Sequence, residues 1–155
     1  VRCSYLPTRP FGHQLEPGYF NIDLQHIDFP DGSFDVVLSS DVMEHVRNCD
    51  AAHSEILRIL KPGGAYLFNV PFDEQAADDI RLVDTSTDQD IFLCKPHIHG
   101  DVLSAGGILA YRVFGRELIT NLEHLGFTVD FHRIERPSAG VFGGDLFVAK
   151  RSTRI

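Results

Sequence analysis

The 155-residue sequence is short of positive charge, short of cysteine and free of long apolar runs, and each shortage argues against a class of function. Lys and Arg number 14 against 22 Asp and Glu, a formal charge of −8. Non-specific nucleic-acid affinity comes mainly from Lys and Arg, so a general phosphate-binding surface is not expected. The basic ending KRSTRI is too short to reverse that. No apolar stretch approaches the roughly 18 residues a membrane helix needs, and no secretory pattern opens the chain. Cys3, Cys49 and Cys94 are odd in number and far apart, with no CxxC. They read as reduced thiols of a cytoplasmic protein, with no structural zinc centre. What remains is ordinary: 43% apolar and 23% charged residues suit one soluble globular domain, 1–155.

The pattern along the chain alternates strands with helices. VRCSYL is a short strand candidate stopped by PTRPFG, and residues 19–24 (YFNIDL) form another. Asp31-Gly32 makes a turn into residues 34–39 (FDVVLS), a continuous apolar run expected for a strand covered on both faces. Asp50 is placed to cap a helix over 51–60, with Ala52, Ile56, Ile59 and Leu60 on one side. KPGG (61–64) ends it, and residues 65–70 (AYLFNV) are the next buried strand. Residues 72–110 lack a clean period and are expected to be an irregular insertion or lid. A second helix follows over 115–125, stopped by Gly126, and residues 127–134 and 145–150 form a closing hairpin. Strand–helix–strand units at this spacing imply a parallel sheet, to which the hairpin adds an antiparallel strand.

This order, with DLQHIDFPDGSFDVVLSSDVMEHV, EILRILKPGGAYLFNVPF and FGRELITNLEHLGFTV, resembles the class I S-adenosylmethionine-dependent methyltransferases. The similarity is closest to the broad type 11 group of small-molecule methyltransferases, from about Tyr19 to Lys150, and is weakest across 72–110. The resemblance implies an α/β, Rossmann-like mixed sheet whose one antiparallel strand lies in the C-terminal hairpin. It also implies S-adenosyl-L-methionine as cofactor and a small molecule as acceptor. In open α/β sheets ligands sit beyond the carboxyl ends of the strands. On that basis Asp23 matches the acid that accepts from the adenine amino group, and Leu24 lies against the ring. Ser39, Ser40 and Asp41, at the polar tip of an apolar strand, approach the methionine part of the cofactor. His45 is a candidate catalytic base over the substrate mouth, and His99, in KPHIHGD, a candidate facing the substrate from the insertion. His97 and His99 have a spacing open to a metal, but with no third ligand nearby none is expected.

Against the family pattern one part is missing. Nothing before Tyr19 offers the opening strand and glycine-rich loop that bring the backbone against the cofactor. VRCSYL matches the family's second strand, and its tip, Ser4-Tyr5, carries no acid for the ribose before Glu16. The expectation is a truncated sheet lacking its first strand. Its open edges would either form a homodimer or pair VRCSYL directly with residues 34–39. The alternative to an enzyme is a silent remnant of the fold serving as a binding or assembly module.

Overall fold

The computed structural model describes residues 1–101 and 104–153. In chain order the strands before the first helix are β1 (Arg2–Ser4), β2 (Gln14–Glu16), β3 (Tyr19–Asn21) and β4 (Phe34–Ser40). A single 3₁₀ turn, Met43–His45, leads to α1 (Cys49–Ile59) and β5 (Leu60–Asn69). Five short strands and one longer one follow: β6 (Ile80–Arg81), β7 (Val83–Asp84), β8 (Ile91–Phe92), β9 (His97–Asp101), β10 (Ser104–Ala110) and β11 (Arg112–Val113). The chain closes with α2 (Glu117–Leu125), β12 (Phe127–Arg136) and β13 (Val141–Arg151).

The main sheet has the order β12-β13-β5-β4. β4 and β5 are parallel, joined through α1, while β13 runs antiparallel to both β5 and β12. This is the parallel sheet with an antiparallel C-terminal hairpin read from the sequence. Its inner face carries Tyr66 and Phe68 of β5 beside Phe147 and Ala149 of β13. These pack with Ile56 of α1 and with Leu118 and Leu122 of α2 into one core. Stacked rings at 4.4 Å (Tyr66–Phe68) and 5.0 Å (Phe68–Phe147) run along β5 and across to β13 on that face.

Several expectations are corrected. The residue 34–39 run is not covered on both faces: Val36 and Leu38 are 51% and 72% exposed, while Val37 and Ser39 turn inward. Val36 and Leu38 line the cleft instead of a packed layer, so the run's two faces differ despite its apolar sequence. VRCSYL does not pair with β4; β1 runs parallel to β3 in a separate sheet of order β1-β3-β2. A cleft separates the two sheets instead. The helix start also differs: Asn48, not Asp50, is the N-cap, its side chain accepting from the Ala51 amide at 3.1 Å. Both types cap well, so composition alone leaves this register open. The stop of α2 behaves as read, Gly126 being its left-handed C-cap at φ +112°, whereas α1 ends on an extended Leu60 and KPGG, with Gly63 at φ +79°, lies inside β5.

The 72–110 segment is more ordered than expected. β9 and β10 form an antiparallel hairpin that pairs His99 with Ile108, and Val83 and Ala110 are buried. No helix among the described residues is long and apolar enough to cross a membrane.

Candidate active site

The cleft between the two sheets, about 1000 Å³, is bounded by β1 on one side and β4 on the other. Each is the outermost strand of its sheet, so unpaired edges line it from both sides. Leu24, Ser39, Ser40, Asp41 and His45 all contribute to its wall. Four of the five proposed cofactor residues and one proposed catalytic residue therefore share one cavity.

Asp23 stands apart. Its neighbours Ile22 and Leu24 line the cleft, but its Oδ1 accepts from the Gln25 amide at 2.9 Å and the Gln25 side chain at 3.2 Å. That is the turn-forming use of Asp, in which a carboxylate bonds the backbone two residues on. At the tip of β4 the groups differ in what they have left to offer. The Ser39 hydroxyl is 2.7 Å from the buried Tyr66 hydroxyl. Ser40 donates to Asp41 Oδ2 at 3.0 Å, and Asn69 donates to the same oxygen at 3.3 Å. Asp41 has φ of +50°, unusual for a residue with a Cβ and a form of strain that concentrates at ligand sites.

Glu16, the first carboxylate after β1, does line the cleft, but beside Tyr19 and Arg2 at the N-terminal ends of β3 and β1. The C-terminal end of β1 offers Ser4 instead, whose Oγ is buried without a hydrogen-bond partner.

The two candidate histidines come together although 54 residues separate them. His45 Nε2 lies 3.2 Å from His99 Nδ1, the rings nearly perpendicular at 88° with centroids 4.8 Å apart. The other nitrogen of His45, Nδ1, lies 2.8 Å from the Leu109 carbonyl oxygen, which only accepts. Nδ1 therefore carries the proton, which in the neutral ring leaves the lone pair on Nε2. The β9–β10 hairpin thus supplies both His99 and the carbonyl that sets the His45 tautomer.

Sequence reasoning missed Glu44. It was readable as an exposed first-turn residue, yet it is fully buried, with neither carboxylate oxygen hydrogen-bonded. Burial pushes its carboxyl above the ordinary range, and the nearby His45 pulls the other way. The 3₁₀ turn that carries it is held from outside: the Tyr111 amide donates to the Glu44 carbonyl at 2.7 Å, and Arg112 to the Arg47 carbonyl at 3.0 Å. Those holds come from strands distant in sequence, so no local pattern signals them.

An open α/β sheet with a strand tip, a turn and a β-hairpin meeting at one cleft resembles the class I methyltransferase architecture. Residues 8–68 match the family model described as a methyltransferase domain. The sterol 24-C-methyltransferase of Yarrowia lipolytica is 30% identical over 128 residues, covering 82% of this chain and 30% of its own length. The arsenite methyltransferase of Aquipseudomonas alcaligenes is 40% identical over 65 residues, 41% of this chain and 18% of its own length. The chain thus spans less than a third of the relatives it matches. Among solved structures, an O-methyltransferase family protein from Burkholderia thailandensis aligns with a TM-score of 0.54 at 19% identity, covering 88% of this chain and 36% of that one. The 4+2 cyclase SpnF aligns at 0.57 and 17%, covering 88% and 56%. Such distant likeness shows the fold, which evidently serves more than one reaction. In sequence and in fold the chain resembles the S-adenosylmethionine-dependent class I methyltransferases, and S-adenosyl-L-methionine is the cofactor that this resemblance assigns.

The residues present fit that group. The cleft's volume is at the upper end of small-molecule sites, roughly 300–1000 Å³. Its walls offer an apolar side chain at Leu24, an orphaned hydroxyl at Ser4 and polar groups at Ser40 and Asp41.

Proposed function

We propose that the protein transfers a methyl group from S-adenosyl-L-methionine to a small-molecule acceptor such as a sugar, a lipid or another metabolite. When bound, the cofactor supplies an electrophilic methyl on a sulfonium. The chain's own residues then do the positioning, which is most of what an in-line transfer asks of a protein. Leu24 covers the adenine, and Asp23 shapes the turn that presents it. Ser40 and Asp41 hold the methionine end, with Ser39 keeping the strand tip in place through Tyr66. His45 and His99 border the acceptor, orienting it and handling the proton that a hydroxyl acceptor must lose.

The observation that carries this reading is the single cleft holding Leu24, the Ser39–Asp41 tip and His45 together. The sterol and arsenite relatives both act on acceptors far smaller than a protein or nucleic acid, as their names state, and so does the acidic charge of this chain favour such an acceptor. The alternative, a silent binding module, draws no support from those relatives. Calorimetry with S-adenosylhomocysteine tests the choice. Micromolar binding that weakens at least about tenfold in Leu24→Ala is expected; no heat at millimolar ligand would reject the enzyme reading.

A further inference from the structure

Glu44, His45 and His99 form a cluster that methyl transfer alone does not explain. A buried, unpaired carboxylate is costly, because desolvation is not repaid by any hydrogen bond. Here the whole Glu44 side chain is inaccessible and both oxygens are orphaned. Those oxygens face two imidazoles: Oε1 lies 3.6 Å from His45 Nε2 and 3.9 Å from His99 Nδ1. With 3.2 Å between the two nitrogens, the three atoms mark a compact triangle.

The size of that triangle matters. Zinc binds imidazole nitrogen and carboxylate oxygen at about 2.0–2.2 Å, so two ligands of a tetrahedral ion stand about 3.3–3.5 Å apart. The separations of 3.2 and 3.6 Å are within a few tenths of an ångström of that edge length, and the third, 3.9 Å, exceeds it by about half an ångström. The orientation of the donors agrees as well. A metal-ligating histidine normally gives its other ring N–H to a backbone carbonyl or a carboxylate. His45 does this toward Leu109, leaving Nε2 free for the metal. Of the HIH motif only His99 joins this cluster, and both of its partners come from the turn after β4.

We propose that Glu44 Oε1, His45 Nε2 and His99 Nδ1 together bind one divalent first-row cation of the zinc type, at the cleft end of β4. Two neutral nitrogens and one anionic oxygen suit such ions and disfavour calcium or magnesium, which prefer all-oxygen shells. The cation neutralises the buried carboxylate. Three protein ligands leave a fourth position for a hydroxyl, thiol or other lone-pair donor. His45 lines the cleft, so that position belongs to the acceptor side. The cation site stands on the geometry alone; its use for an acceptor rests on the methyl-transfer reading. In that role the imidazoles serve as ligands, and the acidity of the acceptor proton is set by the cation.

Zinc chloride titrated into the chelator-stripped full chain, followed by calorimetry, tests this. One zinc ion per chain at micromolar affinity or tighter is expected, weakening at least about 100-fold in both His99→Ala and Glu44→Gln. Cobalt(II) in place of zinc is expected to give the visible absorption of a tetrahedral site in the wild type only. His99 sits on a partly exposed hairpin, so its variant tests the site even if Glu44→Gln disturbs folding, which circular dichroism reads. Absence of zinc binding at millimolar metal, or equal affinity in wild type and His99→Ala, would overturn the proposal. S-adenosylhomocysteine binding in the same preparation is read separately, so a failure of the cation site does not count against the cofactor site.

Discussion

At the residue scale the informative feature is how the polar tip of β4 divides its work. Ser39 faces inward, where its hydroxyl meets Tyr66, while Ser40 and Asp41 remain toward the cleft. Tyr66 is wholly buried, and burial raises its hydroxyl pKa well above the ordinary phenol value, with the Ser39 bond pulling down. That hydroxyl pair anchors the tip, so Tyr66→Phe is expected to cost about 1–2 kcal/mol by leaving Ser39 without its partner. Urea denaturation measures it; an unchanged midpoint would show that the pair contributes nothing. The two serines were both legible as polar residues ending an apolar strand, yet their different duties were not. Strand alternation assigns them to opposite faces, but which face has a tyrosine beneath it is decided by β5. Glu44 was illegible for a similar reason. A Glu-His pair in a first turn looks solvated until β10 and β11 close over it.

At the element scale the alternation of strands and helices was readable because each helix presents apolar residues at helical spacing and is followed within a few residues by a glycine or proline. The residue 72–110 segment was not, since its strands are two to seven residues long and are fixed by pairing with one another rather than by a repeating pattern. α1 also carries a feature with a measurable consequence. His53 is buried against Tyr66 and Phe68, with ring centroids at 6.3 and 6.1 Å. Burial, aided by the positive charge of Arg112, lowers its pKa from 6.5 to about 4. Because the folded value lies below the unfolded one, the unfolded chain binds more protons between these limits. The neutral ring's contribution is therefore complete above about pH 6.5 and is lost on acidification toward pH 4. About 2 kcal/mol is expected to disappear between pH 7 and pH 5. Urea midpoints at the two pH values read this, and His53→Leu should flatten the dependence. The Glu55 carboxyl, lowered to about 2 chiefly by its bond to Arg58, adds acid sensitivity only below about pH 4.5, outside that window. Because burial raises the carboxyls of Glu44 and Asp79, which act in the opposite sense, the comparison decides: a His53→Leu midpoint that moves with pH just as the wild type does would mean the ring is not held neutral by burial.

At the scale of the whole molecule, two sheets face each other across a cleft that neither fills. Both bounding strands, β1 and β4, have one partner and one free edge, and β4 adds an outward face on which Val36 and Leu38 are exposed. A free strand edge beside exposed apolar side chains is a template for pairing with another chain, and natural sheets usually blunt such edges with charge, proline or a covering element. β4 has only Asp35 for this, and its carboxylate is engaged by Lys61 at 2.8 Å. In the ligand-free chain, self-association through β4 is the expected consequence, two copies aligning their edges and covering Leu38 on each, so that pairing competes with ligand for the cleft this edge lines. Burying a leucine contributes about 1.5–3 kcal/mol, so Leu38→Lys should weaken the dimer at least tenfold, with added repulsion between the two lysines. Sedimentation equilibrium at tens of micromolar chain distinguishes the outcomes: a wild-type dimer that the variant converts to monomer supports pairing at this edge. A wild type that sediments as a monomer at that concentration would mean that β4 is tolerated with its edge open, and that the cleft is free on both sides for ligand.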